Sequence, residues 1–175
     1  MLSNKNTGST TNNKIGCASM AAFTEGIVKS NGLNGQYSAF INSVSASTET
    51  ELFSIRTSRL LNLIRTNIET VLRSLQATCD AQNVVIVRFY VNPTPPSAPE
   101  WTCADPTQST VCTSSNAWVS GTPLFSRTLQ KVDSVLIDLS EMDIQLGAGD
   151  VVSITVESAD TTPSADATLL WKEEY

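Results

Sequence analysis

The chain has 175 residues, 41% hydrophobic, 16% charged and 6% aromatic, the length of one ordinary domain with enough apolar material for one core. It contains no histidine, which excludes mechanisms built on an imidazole base, a histidine metal ligand or a histidine pH switch. Its net charge of −6 argues against nucleic acid as a partner, because sequence-independent affinity for a phosphate backbone needs clustered Lys and Arg.

Serine and threonine supply 43 residues, a polar but uncharged surface that leans toward β structure. Charge is uneven: residues 131–175 carry ten acids against Lys131 and Lys172, whereas residues 51–100 carry five Arg against four acids. No stretch approaches the roughly 18 apolar residues of a membrane span, and no apolar run follows Met1 as a secretory signal would require. None of the twelve Asn begins a glycosylation sequon. A microbial or viral product made in a cytoplasm, with no membrane partner, is the expectation.

In chain order, residues 1–16 hold almost nothing to bury and are expected to form a flexible arm, with Leu2, Lys5, Lys14 and Ile15 as its candidate partner-binding residues. The body, residues 17–175, is expected to be a single β-sandwich domain. Glu51 to Arg56 reads as a strand. From Leu60, the residues Ile64, Ile68, Val71, Leu72 and Leu75 recur at helical spacing, although Val71, Arg73, Leu75 and Ala77 also alternate as a strand would. Periodicity alone favours a helix there. Val84 to Val91 is β-branched and aromatic and stops at Asn92-Pro93, which marks a buried strand.

Thr94 to Trp118 has no periodicity and is expected to be a long excursion of the kind that carries recognition. It contains Cys103 and Cys112, flanking a turn-rich loop that could close as a disulfide; two free thiols in a reducing cytoplasm is an equal reading. Trp101 and Trp118 are its candidate exposed aromatics, suited to stacking on sugars, although packing the loop onto the sandwich is the commoner job. Val135, Ile137 and Leu139 share one face of a strand, as do Val152, Ile154 and Val156, each in a sheet with one wet face. Leu146-Gly147-Ala148-Gly149-Asp150 supplies a tight hairpin turn between them, and Ala167 to Lys172 a last strand. The sum is an all-β antiparallel sandwich or jelly roll with at most a short helix.

Four pieces, Glu51 to Arg56, Val87 to Pro93, Leu139 through Gly147-Ala148-Gly149-Asp150-Val151, and Trp171-Lys172-Glu173-Glu174-Tyr175, together resemble small β-sandwich virion proteins of tailed bacteriophages. The resemblance covers roughly residues 50–175. It implies a capsid decoration (cement) or head-fibre protein, usually a trimer, on the capsid surface with the major capsid protein as partner, and a strand from Thr66 to Thr78. On this reading the strand is expected after Asn67, with a short helix left open at Arg59 to Ile64.

Chemical constellations are thin. Gly147-Ala148-Gly149 lacks the third glycine of a phosphate loop; Asp138, Glu141, Asp143 and Asp150 lack calcium-loop spacing and read as a solvated rim; Lys29 beside Ser30 is the one sequence neighbour pair suggesting an activated serine. Neither an enzyme nor a cofactor or metal is expected. Two functions compete: a decoration protein assembled as a homotrimer, with Leu169 and Trp171 as candidate subunit contacts, and a receptor-binding tip of a tail appendage recognising a host glycan or protein. The absence of heptads or repeats for a stem favours decoration.

Overall fold

The computed structural model describes residues 34–41, 44, 48–65, 67–79, 84–103, 109–130, 133–158 and 163–174. The expected arm with Leu2, Lys5, Lys14 and Ile15 lies outside these residues, as do Lys29 and Ser30.

The first strands in chain order are β1 (Asn34–Ile41), β2 (Thr50–Thr57), β3 (Leu60–Leu61), β4 (Ile64–Arg65), β5 (Glu69–Cys79) and β6 (Val85–Val91). Then come β7 (Thr102–Cys103), β8 (Val111–Ser114), β9 (Phe125–Leu129), β10 (Ser134–Asp138), β11 (Gln145–Leu146), β12 (Val151–Ser158) and β13 (Ala165–Glu174). One sheet runs β1-β13-β5-β10, with β11 also against β5; the other runs β7-β8-β2-β12-β6-β9. Every pairing within them is antiparallel. The fold is all-β, two antiparallel sheets packed as a sandwich.

Period-2 alternation explains most of this. Along β13, Ala165, Ala167, Leu169, Trp171 and Glu173 are buried while the residues between them are not, and Val85, Val87 and Phe89 do the same on β6. Phe53, Ile55, Leu72, Leu75, Phe89, Ile154 and Leu169 are wholly excluded from solvent between the sheets, and full burial of each such side chain stabilises the fold by about 1.5–3 kcal/mol. The indole of Trp171 lies so close to Gly35 that a Cβ there would sit 2.2 Å from the ring, so β1 can cover Trp171 only because residue 35 has no side chain.

Three expectations change. The helix left open at Arg59 to Ile64 is a two-residue hairpin, β3–β4, turning through Asn62 and Leu63 with both at positive φ (51° and 65°); that turn matches the right-handed twist of paired strands. The strand expected after Asn67 is there as β5, and the helical spacing that continues to Leu75 reflects its burial on both faces near Thr70, Val71 and Leu72. The one helical element among the described residues is a 3-10 turn at Ser140–Met142. Leu146 to Asp150 does not close a hairpin, because β11 pairs in the first sheet and β12 in the second; it is the corner between sheets, and Gly149 at φ 102° makes it possible. Strand β12 has no wet face: Ser153 and Thr155 are as inaccessible as Ile154.

The proposed subunit contacts are also corrected. Leu169 is fully buried and Trp171 is 6% exposed, both pointing between the sheets, so neither offers a surface to a second chain. Leu169→Ala is expected to cost about 2–5 kcal/mol by leaving a core cavity. Leu63→Ala, at the exposed hairpin tip, should change stability by less than about 0.5 kcal/mol. Urea unfolding of both variants checks this, and equal effects would place Leu169 outside the core.

Candidate functional site

The excursion between β6 and β9 builds the most elaborate part of the molecule. After Asn92 the chain leaves β6, crosses to the far edge of the second sheet to form β7 and β8, and returns to pair β9 with β6. Outgoing and returning limbs are tied by backbone bonds, Thr94 N–H to Ser120 O at 2.8 Å and Val119 N–H to Thr94 O at 2.9 Å.

Three glutamates hold this cover and its support. Glu173, the last inward residue of β13, is fully buried and accepts from Ser109 Oγ at 2.6 Å and from Thr110 N and Oγ1, both at 2.8 Å. A bare carboxylate in that position would cost several kcal/mol; three donors from the segment entering β8 offset the desolvation and fix that segment. Glu51 accepts the backbone N–H groups of Ala117 and Trp118 at 2.8 and 2.9 Å, and Ser54 Oγ at 2.6 Å. Glu49 accepts from Tyr90 Oη at 2.7 Å and from Thr155 Oγ1, and lies 3.4 Å from Arg88, which also pairs with Glu157 at 2.6 Å. Beneath the cover lies a buried hydroxyl layer in which Ser54 and Ser153 bond to each other.

Cys103 and Cys112 face each other across β7 and β8 and are joined by a disulfide. Trp101, just before β7, is half-buried with the Arg56 guanidinium over its ring, 4.6 Å from the centroid. Burial draws the pKa of Arg56 below the usual arginine value. Trp118 is half-buried too, its ring 5.6 Å from that of Tyr90. Both tryptophans do the commoner job named for them, seating the excursion on the sandwich rather than standing freely exposed, and Trp101 borders a cleft.

The outer face of the first sheet is different in kind. The register sets Phe40, Asp166, Thr78 and Ser134 in one row, Ser38, Thr168, Gln76 and Leu136 in the next, and Gln36, Leu170, Ser74 and Asp138 in a third. Phe40 is 65% exposed and Leu136 70%, apolar groups among hydroxyls, amides and the two acids Asp166 and Asp138. Asp138, Glu141 and Asp143 are exposed, while Asp150 is taken into the corner, accepting from Gly147 N and Asn92 Nδ2.

Sequence reasoning missed the glutamates and the pairing of Arg56 with Trp101. Glu173 carried a signal, since the alternation of Ala167, Leu169 and Trp171 puts position 173 inward. Glu49 and Glu51 carried none, because their donors are backbone groups and side chains distant in sequence. No helix among the described residues is long and apolar enough to cross a membrane.

Burial first, and the hydrogen bond to Glu49 second, push the Tyr90 phenol up to about 12. Its folded pKa therefore lies above the unfolded value of about 10, so the stability it contributes is complete below about pH 10 and is lost as pH rises through the folded value. Ultraviolet titration of phenolate, with Tyr90→Phe as the reference, should show one tyrosine ionising late. Glu49→Gln should bring it earlier, and an unchanged midpoint would deny the Glu49 contact.

Comparison of the sequence with protein-family models and with curated proteins returns no match. Among solved structures, that of infectious bursal disease virus, Gt strain, is similar at a TM-score of 0.23 and 11% identity, over 89% of this chain and 42% of that one. The chain thus spans under half the length of that viral chain, and the likeness to it is weak.

Proposed function

We propose that this chain is a structural virion protein that decorates a phage capsid as a symmetric oligomer, a trimer, and holds the major capsid protein by contact area rather than by chemistry. The observation that carries the reading is the outer face of the first sheet. Phe40, Leu136 and Leu170 stand exposed there, with Asp166 and Asp138 the only charged residues in their three rows, and exposed apolar groups of this kind suit the interior of an interface. At the edge of this face, β1 runs Asn34 to Ile41 with neither a charge nor a proline, the devices by which edge strands normally avoid pairing. The resemblance over residues 50–175 supplies the virion setting. This face replaces Leu169 and Trp171 as the subunit contact.

The second reading, a receptor-binding tip, draws support from a separate observation: the cleft beside Trp101 holds arginines that lack carboxylate partners among the described residues.

Light scattering of the purified chain is expected to return three times its 18.8 kDa mass. Leu136→Glu, which replaces an exposed apolar group of that face with a charge, should return the single-chain mass with the fold intact by circular dichroism. A wild-type chain that is monomeric at micromolar concentration would overturn the assembly reading.

A further inference from the structure

We propose that the cleft beside Trp101 binds an acidic saccharide, with the carboxylate held by Arg56 and Arg59 and the sugar ring lying against the apolar walls. The cleft has a volume of about 370 Å³, inside the range of roughly 300–1,000 Å³ typical of small-ligand sites. It opens between the end of β2, the corner at Gly149 and the outgoing limb of the excursion, which contributes Pro95, Pro99 and Trp101.

The charges in it are unanswered. In a chain of net charge −6, no carboxylate of the described residues lies within ion-pair distance of Arg56 or Arg59. Asp150, beside them in the corner, is committed to Gly147 and Asn92. Arg56 Nε is buried with no hydrogen-bond partner, so the guanidinium can be answered only through its terminal nitrogens, which have no acceptor among the described residues either. Its guanidinium sits over the Trp101 ring, Cζ 4.6 Å from the centroid, which fixes its position at the cleft. Arg59 spends one weak bond, Nε–H to Ala148 O at 3.4 Å, and its two terminal nitrogens remain available. Two planar forks converging on one cleft suit the bidentate recognition of a small oxyanion.

The walls select among oxyanions. Pro95, Pro99 and Val151 present hydrocarbon, which a free phosphate would leave uncovered and the C–H face of a pyranose would cover. Ser58 Oγ accepts from Leu60 N at 3.1 Å and keeps its O–H to donate to a ring hydroxyl. The inference goes beyond the assembly reading and stands on other residues: a monomeric chain leaves the cleft unaltered, and a cleft that binds nothing leaves the oligomer unaltered.

The test is an array of glycans carrying uronic and sialic acids beside neutral glycans of matched length, followed by fluorescence titration of the best acidic one in solution. Carboxylated glycans should bind and their neutral or methyl-esterified counterparts should not. Arg59→Ala, at an exposed position, should weaken binding at least tenfold without altering the fold, Arg56→Lys should weaken it while keeping the charge over Trp101, and Trp101→Phe should abolish the fluorescence change. Binding should weaken as salt rises. Failure of every carboxylated glycan, equal binding of the neutral ones, an unaffected Arg59→Ala, or inorganic phosphate competing at the same concentration as the glycan would each overturn the proposal.

Discussion

Glu173 is a carboxylate sealed inside a β-sandwich, and much of the distal architecture depends on how its oxygens are satisfied. Among the described residues its donors are those of Ser109 and Thr110, so they restore the solvation it loses on folding when the chain entering β8 lies against β13. Once β8 is fixed there, it pairs with β2 on one side and β7 on the other, bringing Cys112 opposite Cys103. The pairing sets Trp101 beneath Arg56. One buried acid thereby links the first sheet to the edge of the second and to the cleft the excursion forms.

The same logic explains a composition so rich in Ser and Thr. On the outer face of the second sheet, the excursion covers Ser54, Ser153 and Thr155, which are wholly buried. Apolar residues there would have made an exposed sheet adhesive, and charged ones could not have been covered without several kcal/mol of desolvation. Hydroxyls bonded to one another and to Glu49 and Glu51 are compatible with burial. On the outer face of the first sheet, hydroxyls and amides stay uncovered beside Phe40 and Leu136, with Asp166 and Asp138 among them.

Much of the framework was legible in the sequence because it rests on alternation. Val85–Val91, Ser134–Asp138 and Val151–Ser158 announce themselves by β-branched residues bounded by turn signals, and the sandwich follows from their number. The stretch from Leu60 misleads for a physical reason: Leu60 and Ile64, one helical turn apart in sequence, sit on opposite arms of a hairpin whose turn holds Leu63 at positive φ, a conformation bulky residues rarely take. The wet face expected for β12 was wrong because its cover comes from residues far away in the chain. Cysteine spacing left the disulfide open, since only the cross-strand register of β7 and β8 brings the two residues together. Trp101 and Trp118 were found as the aromatics of the excursion, but their partners, Arg56 and Tyr90, lie on strands that no local pattern connects to them.

The central claim is that a buried carboxylate, Glu173, and a part-buried one, Glu51, hold the excursion to the sandwich, and amide hydrogen exchange tests it most directly. The N–H groups of Thr110, Ala117 and Trp118, which donate to Glu173 and Glu51, should be protected in the native chain although they lie in irregular backbone. Glu173→Ala should deprotect Thr110, and Glu51→Ala should deprotect Ala117 and Trp118, while the amide of Ile154 in β12 stays slow in both. If all three exchange at loop rates in the unaltered chain, or if the substitutions leave their protection unchanged, the carboxylates do not hold the excursion and the account is wrong.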